Sequence, residues 1–75
     1  MDENIKTIIC RNLKMLRIRN GYAQEKVAIM LDMEQNTYSR LERGETKLDI
    51  ERLQKIADLY GISVYQLLNE IPPEN

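Results

Sequence analysis

Four polar side chains fall within six residues of one another in this sequence: Gln35, Asn36, Thr37 and Arg40. On a helix they share an outer face, with Tyr38 and Leu41 turned inward. The amides of Gln and Asn match the donor and acceptor pair on adenine, a guanidinium matches guanine, and a threonine methyl packs on that of thymine. The chemistry on offer is recognition of base edges rather than bond-making.

Composition removes the alternatives. The chain has 75 residues, enough for one domain, with 43% hydrophobic and 31% charged residues, a mixture suited to a folded soluble unit. Cys10 is the only cysteine and there is no histidine, so neither a zinc site nor a Ser-His-Asp or Cys-His nucleophile can be assembled. Gly21, Gly44 and Gly61 stand too far apart for a phosphate-cradling loop. No metal, cofactor, small-molecule effector or enzymatic activity is expected. The longest apolar run, Val27 to Leu31, is far short of a membrane span, and the acidic start Met1-Asp2-Glu3-Asn4 is unlike a secretion signal. Cys10 reads as a small buried apolar residue, and a lone thiol suits the cytoplasm.

Charge is divided along the chain. Residues 8–44 hold seven basic against four acidic side chains, whereas residues 45–75 hold three basic against six acidic ones. A chain of net charge −1 can thus still attract a polyanion at one end.

Apolar spacing is helical throughout. Ile5, Ile9, Leu13 and Leu16 mark one face of a first helix from about Glu3 to Arg19, closed by Asn20-Gly21. A second helix runs from about Ala23 to Leu31, with Val27, Ala28 and Leu31 inward. A third runs from Gln35 to Arg43 and stops at Gly44. Asp49 caps a fourth, with Leu53, Ile56, Ala57 and Tyr60 inward and Gly61 at its end. Ser63 and Gln66 form a capping box for a short fifth helix carrying Leu67 and Leu68. No segment alternates with period two. The expected fold is all-α, a single domain over residues 1–71, with 72–75 a frayed tail after Pro72-Pro73. The tyrosines Tyr22, Tyr38, Tyr60 and Tyr65 read as packing residues.

The second and third helices are joined by only Leu31-Asp32-Met33, so they must cross steeply, with Ala28 at their closest approach. Here the sequence resembles the Cro/C1-type helix-turn-helix domain. The resemblance covers Ile9 to Leu68. It is carried by Asn12-Leu13-x-x-Leu16-Arg17, Gly21-Tyr22-Ala23-Gln24-Glu25-x-Val27-Ala28, Tyr38-Ser39-Arg40-Leu41-Glu42-Arg43-Gly44-Glu45, Leu53-x-x-Ile56-Ala57 and Tyr60-Gly61-Ile62-Ser63, in that order.

The resemblance implies a compact five-helix, lambda-repressor-like fold that binds double-stranded DNA and regulates transcription, repression ahead of activation. It implies that the third helix enters the major groove with Gln35, Asn36 and Arg40 on bases and Thr37 nearby. Gln24, at a helix start, would hold a phosphate, and Arg43 and Lys47 would flank the backbone. Arg17 and Glu42 fall where an internal ion pair forms. Three residues depart from the pattern. Asp32 replaces the turn glycine, at a cost of roughly 1 kcal/mol for a left-handed conformation. Glu34 replaces a Ser or Thr cap and brings charge that weakens a grip on phosphate. Ala23 leaves the second helix without a side-chain cap, so its start is expected to fray.

One such unit reads few base pairs, so a homodimer is expected, its two third helices about 34 Å apart. The apolar surplus Ile62, Val64, Tyr65, Leu67, Leu68 and Ile71 offers surface for it. The rival reading is a protein-interaction module that keeps the fold without the DNA, motivated by Glu34 and the acidic C-terminal half.

Overall fold

The computed structural model describes residues 4–71. Five helices follow one another: α1 (Ile5–Arg19), α2 (Gln24–Met30), α3 (Gln35–Glu42), α4 (Ile50–Tyr60) and α5 (Val64–Leu67). The described residues contain no strand. The tail assigned to residues 72–75 lies outside the described residues.

Helix starts follow local side-chain chemistry. Asn4 caps α1 by accepting from the Thr7 amide at 2.8 Å, and Asp49 caps α4 by accepting from the Arg52 amide at 2.8 Å. The Ser63–Gln66 box is reciprocal, at 3.1 and 2.9 Å. By contrast, neither Ala23 nor Glu34 makes a side-chain cap, so α2 and α3 rely on packing to hold their first turns.

Helix ends share one device. After each of α1 to α4 a residue takes a left-handed conformation and its successor's amide returns to a carbonyl in the last turn. Three of these residues are glycine. The fourth is Asp32, at φ 56°, and it is the only non-glycine residue at positive φ among the described residues. Its amide donates to the Ile29 carbonyl at 3.1 Å, and the Met33 amide to Ala28 at 2.9 Å. This turn sets the angle between α2 and α3. Asp32→Gly is expected to raise stability by about 0.5–1 kcal/mol, the strain relieved in the folded state less the freedom gained in the unfolded one. A urea midpoint that falls instead would contradict this account.

The core gathers Ile9, Leu13, Leu16, Val27, Ala28, Leu31, Tyr38, Leu41, Leu53, Ile56, Ala57 and Leu67. α2 packs on α3, α1 on α3 and α5, and α4 on α5. Ala28, the small residue of α2, is buried in this core. Cys10 is buried and its thiol donates to the Leu41 carbonyl at 3.1 Å; burial pushes its pKa up. Two expectations need correction. Ile5 shares the inner stripe of α1 but is 58% exposed, because the first turn overhangs the core, beside Lys47, Leu48 and Leu68. Tyr65 is 73% exposed rather than packed; α5 is a single turn and spends its inner face on Leu67. Of the apolar surplus near the end, Ile62, Val64, Leu68 and Ile71 cover the core from outside.

Asn12 is a buried polar residue within this core. Its amide donates to the Leu67 and Asn69 carbonyls, both at 2.8 Å. One side chain on α1 therefore satisfies two carbonyls that the end of α5 leaves open.

Candidate nucleic-acid interface

α3 is two-faced. Tyr38 and Leu41 are fully buried, while Gln35, Asn36 and Arg40 are exposed and Thr37 is half-buried. No hydrogen bond or ion pair holds the Gln35, Asn36 or Arg40 side chain among the described residues. A row of amide and guanidinium donors therefore faces solvent on a helix whose back is locked into the core.

Beneath that surface lies a polar network. Arg17 Nε donates to Glu42 Oε2 at 2.6 Å and Arg17 Nη2 to Glu42 Oε1 at 3.2 Å. The side chains are only 14% and 4% exposed. Arg17 Nη1 also donates to the Tyr22 carbonyl at 3.0 Å, and Gln24 Nε2 donates to Glu42 Oε1 at 3.1 Å. Burial alone would raise the Glu42 pKa. The Arg17 donors, with smaller help from Tyr38 and Gln24, outweigh burial and hold it below the usual carboxylate range. The Tyr38 hydroxyl bears on this carboxylate without reaching hydrogen-bond geometry. Burial, then the Glu42 charge, drives its pKa far up. Tyr60 is pushed up to about 12, chiefly by burial, and its ring stacks on Tyr22 at 6.5 Å between centroids.

A carboxylate whose pKa is lower folded than unfolded stabilises the fold fully above its ordinary value. That stabilisation is lost as pH falls through the depressed folded value. The urea midpoint is therefore expected to hold above pH of about 5 and to drop steeply below about 4.3. Glu42→Gln should flatten this acid limb; an unchanged limb would remove Glu42 as its cause.

The remaining residues singled out from the sequence lie outside the exposed row of α3. Gln24 opens α2, half-buried, with its amide already engaged by Glu42. Arg43 caps α3 and is exposed, bonded to Glu45 and to Ser39. Lys47 is exposed in the loop before α4. Sequence reading assigned Gln24 to phosphate and missed its inward bond; the signal available was its turn-of-helix spacing from the buried Ala28 and Val27 face. Asn12 appeared only as a motif position, since its acceptors stand 55 and 57 residues away.

Comparison with known proteins gives a consistent result. Residues 13–67 match the helix-turn-helix family. The chain is similar to a hypothetical transcription factor of Neisseria meningitidis serogroup B, 25% identical over 73 residues, covering 97% of this chain and 67% of that protein. The control protein C.MunI of Mycoplasma sp. is 31% identical over 72 residues, 95% of this chain and 97% of that one. The HTH-type transcriptional regulator DdrOP3 of Deinococcus deserti is 35% identical over 63 residues, but those span 84% of this chain and only 49% of the relative. The crystal structure of the hypothetical transcription factor NHTF from Neisseria superposes with a TM-score of 0.82 at 26% identity, covering 93% of this chain and 78% of that one. The matched residues contain α2, the Asp32 turn and α3 entire, and on these grounds the chain belongs to the Cro/C1-type helix-turn-helix family.

Proposed function

We propose that this DNA-binding transcription regulator reads duplex sequence through α3, as a homodimer, and acts as a repressor. The observation that carries the reading is the divided face of α3, with Gln35, Asn36 and Arg40 free toward solvent and Tyr38 and Leu41 fixed beneath. Gln35 and Asn36 suit adenine and Arg40 suits guanine, with Thr37 alongside for a thymine methyl. Gln24, at the start of α2, Arg43, at the end of α3, and Lys47, in the loop before α4, are the residues assigned to phosphate. Gln24 keeps one amide hydrogen for that purpose after bonding Glu42.

The size of the molecule supports the dimer. The longest dimension of the molecule is 33 Å, and one chain has one α3. Two recognition helices one helical turn apart, about 34 Å, require two chains. Repression needs only occupancy of the site, which binding itself provides. The cytoplasm is its expected location, where DNA lies and Cys10 stays reduced.

The test is selection of bound duplexes from a random pool, followed by a salt series on the winner and sedimentation with and without it. The expected result is a two-fold related sequence, a steep fall of affinity with salt and a dimer on DNA. A folded protein that retains no duplex at low salt would overturn the reading in favour of a protein-interaction module. Monomers at high concentration, free and bound, would overturn the dimer alone.

A further inference from the structure

The turn after α3 does more than end a helix. Gly44 is left-handed at φ 74°, and the Glu45 amide donates back to the Arg40 carbonyl at 2.9 Å. Residue 45 is thereby folded over the last turn of α3. Its carboxylate receives two parallel hydrogen bonds from Arg43, Nε to Oε2 at 3.1 Å and Nη2 to Oε1 at 3.2 Å. The far side of the same guanidinium donates through Nη1 to Ser39 Oγ at 2.6 Å. Both partners are 53% exposed. Hydrogen bonding to Arg43, its charge and, less, that of Arg40 keep the Glu45 carboxyl below its ordinary range. Glu45 thus pairs with the cation assigned to phosphate and, more weakly, feels the charge of the cation assigned to bases.

We propose that Glu45 is an affinity-limiting residue: an internal counter-anion that occupies Arg43 and has to be displaced before that guanidinium can grip a DNA phosphate. The inference rests on the DNA-binding reading above. A carboxylate and a phosphate ask the same thing of arginine, two parallel N–H donors in one plane. While Glu45 holds Nε and Nη2, and Ser39 takes one hydrogen of Nη1, three of the five donors are committed and the pair presents no net charge. An exposed ion pair of this kind contributes little to stability, so the exchange is open to a phosphate. After the exchange the displaced carboxylate stays nearby and repels the backbone. Its effect is independent of sequence, because phosphate contacts carry no base information.

The experiment measures binding of a random-sequence duplex by anisotropy across a salt series, for the wild type, Glu45→Gln, Arg43→Ala and the double variant. Glu45→Gln is expected to bind about three- to tenfold more tightly at about 50 mM salt, with a log–log salt slope steeper by up to about 0.9, because wild-type Arg43 neutralises a phosphate only in those complexes in which Glu45 has been displaced. In the Arg43→Ala background the same change should leave the slope where it was. These side chains are exposed and outside the core, and thermal melts by circular dichroism should stay unchanged. Equal or weaker binding by folded Glu45→Gln while the wild type binds would overturn this proposal and leave the DNA reading intact. Binding by Glu45→Gln alone would support it strongly. No binding by either would overturn both.

Discussion

Glu42→Ala is expected to remove about 3–5 kcal/mol of stability, the cost of breaking a buried ion pair from one side. A chain of this size has roughly 4–11 kcal/mol in all, so the loss is a large fraction of the total. The reason is the company Glu42 keeps. Its two oxygens accept from Arg17 twice and from Gln24 once, with the Tyr38 hydroxyl beside them. Removing the carboxylate leaves the Arg17 charge, only 14% exposed, with the Tyr22 carbonyl as its one remaining strong acceptor in this network. Arg17→Met with Glu42→Leu should recover part of the loss, since an apolar pair of similar volume avoids the desolvation that the ions suffer. Urea unfolding of the four members of this cycle measures the coupling. A Glu42→Ala midpoint within error of the wild type would mean that the network is ornamental.

Arg40→Ala is expected to erase preference at one base position, reducing affinity for the selected duplex by about 1–3 kcal/mol, roughly 5- to 150-fold, for one lost bidentate contact. Gln35→Ala should do the same at a neighbouring position. In a dimer each change acts in both half-sites, so the measured loss is larger still. The discriminating quantity is the ratio between the selected duplex and a scrambled one. Loss of a base contact lowers that ratio. Loss of a phosphate contact lowers both affinities together and makes the salt slope shallower by about 0.9. If Arg40→Ala weakens both duplexes equally, Arg40 belongs with Arg43 and Lys47 on the backbone.

Local information made most of the fold legible in the sequence. Apolar spacing of three and four residues, the caps Asp49 and Ser63, and the glycines after α1, α3 and α4 act within one or two turns, so they can be read directly. The left-handed Asp32 was legible through the resemblance, which puts a glycine at that turn position. Burial at helix ends was not legible. Ile5 and Leu13 lie on the same stripe, but only the latter has another helix above it, and periodicity does not record where a neighbouring helix stops. The outer face of α3 could be read because exposure follows from the inward positions of Tyr38 and Leu41. The network beneath it could not, beyond the Arg17–Glu42 position implied by resemblance. Gln24 bonds Glu42 across 18 residues, and Asn12 reaches carbonyls more distant still. Such contacts join residues far apart in sequence, and the Asn12 acceptors are backbone carbonyls, which have no residue type to mark them.

The Asn12 tether bears on how a cell makes this protein. The amide emerges early from the ribosome, on a segment inclined to form helix at once, but the two carbonyls that accept its hydrogens belong to residues 67 and 69. Until those residues are synthesised, the Asn12 amide has only water for a partner, and Leu67 is absent from the core. A chain ending after α3 is consequently expected to lack part of the packing that holds α3 in place.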